Sequence, residues 1–233
     1  GTTTVSAGTL SAANASALGT VAGGTTVASG ATLNIDNVAI GNEAVTINGN
    51  GAGGAGALTG TGTASLAGTV TLAGPSRVGT TSGASALTLG GAVNAGGNAL
   101  DITGARNLTA TNPLNDFGTV TANSTGDISL VDANALTIGA SSVGTLTAQT
   151  LSGDLTLGGN VTATGSGDAI VLAAAANFDN SGGNSLNPGA GRWLVYSTSP
   201  AGSTEGGLTG AAGSALPRLY NRSFGGNPPA SIT

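Results

Sequence analysis

DLTLGG, residues 154–159, carries the pattern on which the fold turns. Leu155 and Leu157 alternate with Thr156, so an extended chain here is apolar on one face and polar on the other. Gly158 and Gly159 then permit a bend. The theme recurs as AVTING from Ala44, TVTLAG from Thr69, ALTLGG from Ala86, ALDITG from Ala99 and ALTIGA from Ala135. Each copy is a short, half-buried strand closed by small residues or Asn. No segment has helical periodicity. The Ala-rich run at 173–176 continues a strand-like AIVL and ends in Asn177.

Between Val120 and Val171 the strand centres fall near Ser129, Thr137, Leu146, Thr156 and Thr162, at steps of about six to ten residues. Two all-β layouts accept strands this short: a hairpin-built sandwich or barrel, and a solenoid of parallel strands. Aromatic residues are 3% of the chain, whereas sandwich cores are built on bulky anchors. Asn-Gly turns are scarce outside residues 48–51. Both facts favour the solenoid. It would have about three strands per coil of ~25 residues, with small apolar side chains stacked from coil to coil. Some seven or eight coils at ~4.8 Å each give a rod roughly 35 Å long.

Composition excludes much chemistry. Of 233 residues, Gly 43, Ala 40 and Thr 34 make up half. There is no His, Cys, Lys or Met, and charged residues are 6%. The usual zinc and haem ligands, a Ser-His-Asp triad, a thiol nucleophile and a Schiff-base lysine are therefore ruled out. The basic residues are Arg77, Arg106, Arg192, Arg218 and Arg222, too dispersed for a nucleic-acid surface. The longest apolar run, 169–176, is too short to span a membrane.

From Gly191 the composition changes. This part holds the only Trp, both Tyr, three of the five Arg and four of the seven Pro. The expected division is a repeat region at 1–190 and a distinct C-terminal segment at 191–233, either a cap or the start of a further domain. GRWLVYSTSPAGSTEGGL does not read as another coil of the same kind. Leu194 and Tyr196 share one strand face, Trp193 and Val195 the other. Trp193, Leu194 and Tyr196 are the candidates for capping the last coil or meeting a neighbour. A solenoid with bare ends invites end-to-end self-association.

Several stretches resemble a known group of proteins. GTTTVSAGTLSAANASALGTVAGGTTVASGATLNI from Gly1, LTGTGTASLAGTVTLAG from Leu58 and DISLVDANALTIG from Asp127 look like autotransporter passenger repeats. GRWLVYSTSPAGSTEGGL resembles a segment that closes a β-helical stretch in filamentous-haemagglutinin-like exoproteins of two-partner secretion. The resemblance implies a right-handed parallel β-helix, exported by an outer-membrane transporter and displayed at a Gram-negative cell surface or secreted. It implies an adhesin that meets host-surface or other-cell receptors or glycans. An N-terminal secretion domain and a C-terminal translocating β-barrel are not in this sequence, so the chain is expected to be an internal piece.

Catalytic and metal candidates are few. The carboxylates are Asp36, Glu43, Asp101, Asp116, Asp127, Asp132, Asp154, Asp168, Asp179 and Glu205. Asp127 and Asp132 are closest in sequence, but five residues apart on a strand they face opposite sides. An acid–base pair would have to come from neighbouring coils. Most of the ten sit where Asp stabilises turns. GSGDAIV from Gly165 is a single, untandemed match to a calcium-binding nonapeptide. GNGAGGAGALTG from Gly49 contains dinucleotide-loop spacings but opens no helix. Thr145-x-Thr147 and Thr162-x-Thr164 pair hydroxyls on one face, two ranks that fall short of an ice-binding array. We therefore expect no catalytic, cofactor or metal site. The expected function is a structural rod that holds adhesive surfaces away from the cell. The alternatives are a carbohydrate-active β-helix enzyme and a self-assembling extracellular fibre subunit.

Overall fold

A computed structural model describes residues 1–81, 86–104, 106–209, 219 and 221–232. The chain is a β-solenoid of about eight turns, with almost no helix. The described strands pair in parallel and fall into a 16-stranded and an 8-stranded sheet.

Each coil supplies up to three strands. One face begins with Thr3–Val5, Thr25–Val27 and Val45–Gly49. A second face stacks Gly8–Ala12, Ala31–Asp36, Leu58–Thr61, Ala99–Gly104 and Thr119–Ser124. The eleven-residue strand Val70–Thr80 bends from the first face to the second and joins the two stacks into one sheet. The third face is the 8-stranded sheet. It runs from Ala39–Ile40 through Thr63–Leu66, Ala86–Leu89, Asn107–Ala110, Asp127–Asp132, Thr145–Thr150 and Asp168–Ala173 to Arg192–Tyr196.

The alternation read from the sequence sets which side chains turn inward. The pairs Val45/Ile47, Val70/Leu72, Leu87/Leu89, Leu100/Ile102, Leu136/Ile138 and Leu155/Leu157, one from each copy of the motif, are all buried. On the third face Leu87, Leu108, Ile128, Leu146 and Ile170 occupy one register position on successive coils. Such a column packs at the rung spacing of about 4.8 Å. Each fully buried Leu or Ile adds about 1.5–3 kcal/mol of apolar burial. Corners need the opposite property. Glu43, Gly68 and Gly91 follow one another at one corner, and a Cβ on Gly68 would collide with the Glu43 carbonyl.

Two expectations differ from the structure. Coil length varies, rather than holding near 25 residues. Thr145 stands on Asp127, 18 residues earlier, whereas Thr63 stands on Asn37, 26 residues earlier. Corners absorb the difference, because only strands must match in register. The GRWLVY segment is also a further rung. Arg192–Tyr196 pairs in parallel with Asp168–Ala173, and Thr204 bridges Asp179 in the same coil. Its aromatics drew the sequence reading away from the alternation that it shares with the other strands.

Candidate functional site on the third face

The terminal strand presents its side chains as its alternation requires. Trp193 and Val195 continue the inward columns of Ile170 and Leu172 and pack on the main core, partly buried. Leu194 and Tyr196 point outward, beside Val171 and Ala173. Four apolar side chains thus stand on a face that lower coils clothe in hydroxyls. Residues 221–232 cover them. Ile232 and Phe224 pack against this patch, and Phe224 meets the Tyr196 ring edge-on at 5.5 Å. Tyr196 Oη donates to the Asn227 carbonyl at 3.0 Å, and Arg192 Nη2 donates to the Pro229 carbonyl at 2.9 Å. Arg192 also pairs with Asp168 through Nε at 2.5 Å. Burial pushes the Tyr196 phenol above its ordinary range, and the Asp168 charge adds to the shift.

No cap over the last coil is shown among the described residues of 191–233. They make one more rung and a strap along its side. Residues 210–218, 220 and 233, the remainder of the expected segment, lie outside the described residues.

Strap and sheet border an open cleft of about 600 Å³. Leu151, Ala173, Ala174, Ala175 and Phe224 are among the residues that line it. Gln149 and Ser197 reach it from the sheet side, Asn221 and Arg222 from the strap. Among the described lining residues there is no carboxylate, in a chain of net charge −5.

The carboxylates elsewhere belong to turns and ladders. Asp127 and Asp132 face opposite sides, one exposed and the other buried. Asp127 accepts from the Thr145 hydroxyl of the next coil at 2.8 Å. Neighbouring coils do bring Asp116 and Asp132 together, a proximity invisible in the linear sequence. Asp132 is 0% exposed and accepts from the backbone N–H groups of Phe117 and Asn134, at 3.3 and 3.4 Å. Asn134 Nδ2 in turn donates to Asp116 at 3.1 Å. Desolvation, with a smaller contribution from Asp116, pushes the Asp132 carboxyl above its ordinary range. Sealed and bonded to backbone, it cannot touch a substrate. Asp101 is held by Arg77 Nη2 at 2.6 Å and by the Thr121 hydroxyl at 3.1 Å. Glu43 is also buried, and its Oε1 accepts from Thr25 at 2.8 Å. No group of three or more metal-ligating side chains occurs among the described residues.

Hydroxyls stack further than sequence spacing shows. Ser65, Thr88, Thr109, Ser129 and Thr147 share one outward register position on five successive coils. The signal was present in the alternation, but coils of unequal length hide the alignment. The adjacent column reads Thr63, Ala86, Asn107, Asp127 and Thr145, so no uniform two-rank array forms.

Compared with family models, curated proteins and solved structures, the chain matches none.

Proposed function

We propose that the chain is a structural rod from a secreted or surface-displayed bacterial adhesin, holding binding surfaces away from the cell. The observation that carries this reading is the unbroken parallel stack of about eight turns. Each coil contacts only its neighbours, so such a stack can lengthen without redesign and spans distance at little cost in sequence complexity. The resemblance of residues 1–35 and of the stretches from Leu58 and Asp127 to passenger repeats, and of GRWLVYS to a closing segment of filamentous-haemagglutinin-like exoproteins, gives the reading its cellular setting. The enclosure of Asp132 in backbone hydrogen bonds supports a scaffold over a carbohydrate-active enzyme.

A rung deletion tests the reading. Thr145 lies directly above Asp127, so removing residues 127–144 rejoins Gly126 to an equivalent position. The shortened chain is expected to unfold cooperatively, and small-angle scattering should report a rod shorter by about 4.8 Å. Loss of folding would overturn the modular rod. Antibody against the chain should label intact cells of the source organism. Labelling only after permeabilisation would overturn surface display.

A further inference from the structure

We infer that the cleft between the strap and the third face binds an acidic sugar, a hydroxylated ring that carries a carboxylate. The inference rests on the adhesin reading and assigns its ligand class. A site for a small ligand is typically a cleft of about 300–1,000 Å³, mainly apolar, with a few convergent polar groups. This cleft, at about 600 Å³, lies in that range and is ample for one or two sugar rings.

The wall chemistry sets the class. The outward Ala173 and the exposed Ala175 offer a small apolar floor for the C–H face of a pyranose, and Leu151 and Phe224 also line the cleft. The Gln149 amide, the Ser197 hydroxyl and the Asn221 amide make no side-chain hydrogen bonds within the described structure and remain available to ring hydroxyls. Thr198 donates its hydroxyl to the Ala175 carbonyl and keeps its lone pairs for a ligand donor.

Arg222 supplies the charge preference. It is exposed at the cleft and makes no ion pair among the described residues, in contrast to Arg77 and Arg192. A guanidinium offers a planar fork that fits a carboxylate in two parallel hydrogen bonds. With no carboxylate on the described lining to answer it, the guanidinium is open to an anionic group of a ligand. A free uncharged sugar leaves this fork unanswered. A bare small anion leaves the floor and the amides unused.

The test uses the whole 233-residue chain and three probes: methyl β-D-glucuronide, methyl β-D-glucoside and acetate. Backbone amide shifts at Gln149, Ala174 and Phe224 report occupancy by NMR titration. The glucuronide is expected to bind at least about tenfold more tightly than either other probe, the effect of one charge-assisted contact. Arg222→Gln should bring the glucuronide down to the level of the glucoside while leaving the thermal midpoint unchanged, because Arg222 is exposed. Equal binding of both glycosides, acetate binding as tightly as the glucuronide, absence of shifts with every probe, or glucuronide binding unchanged in Arg222→Gln would each overturn the assignment. None of these outcomes touches the rung-deletion result, which concerns other coils. A failed sugar site is thereby distinguished from a failed rod.

Discussion

Truncating Leu155 to Ala tests the register on which the whole stack depends. Leu155 is 0% exposed and sits between Leu136 of the coil below and Phe178 of the coil above. The substitution removes three carbons from the middle of a column. Both flanking strands are held in parallel ladders, so the neighbours cannot collapse into the gap. Buried Leu→Ala changes cost about 2–5 kcal/mol, more where the site fails to close, and we expect about 4 kcal/mol here. Thr156, next in the chain, faces outward in line with Thr137 and Asp179. Its change to Ala should cost at most about 0.5 kcal/mol. Urea unfolding followed by circular dichroism separates the two. The Leu155 variant should show a lower midpoint at an unchanged slope, and its thermal midpoint should fall by roughly 8–16 °C. If Thr156→Ala cost as much as Leu155→Ala, the strand would be displaced by one residue, and every inward assignment on that face would reverse.

Two further outcomes follow from the corners. The raised carboxyl of Asp132 binds its proton more tightly in the folded chain than in the unfolded one, so its contribution to stability is lost as pH rises from the ordinary Asp range into the raised one. Acidification back through that window should therefore favour the wild type relative to Asp132→Asn, read as the difference between their urea midpoints at each pH; a flat difference would refute the desolvated site. Gly68→Ala should destabilise by more than about 1 kcal/mol because its Cβ meets the Glu43 carbonyl, whereas Gly41→Ala, where a Cβ meets open space, should be close to neutral; equal thermal midpoints would refute the close corner packing.

What could be read from the sequence was whatever repeats at a distance of two residues. DLTLGG and its five relatives announced their inward pairs, and the structure buries all of them. What escaped depends on alignment between coils. The meeting of Asp116 with Asp132 and the hydroxyl column from Ser65 to Thr147 require coil lengths, and those are set by corners without a consensus. Residues 191–196 were misjudged because Trp193 and Tyr196 outweighed the alternation around them. The strap at 221–232 has no period at all. Its place follows from the outward apolar patch of Val171, Ala173, Leu194 and Tyr196, which forms only once two strands lie side by side.

The unequal coils have a consequence for how such a chain can vary. After Gly49 the chain makes an excursion and returns at Leu58, which stands in register with Leu33 on one side and Val78 on the other. Alignment is thus restored once every turn. An inserted or lost corner residue is cancelled before the next strand begins, and errors do not accumulate along the axis. In a hairpin sheet a single inserted residue within a strand turns every later side chain over. Here a residue added in a corner becomes a local ornament. Corners can therefore diverge freely, acquiring new surface chemistry by drift, while the interior lattice that carries the length remains unchanged.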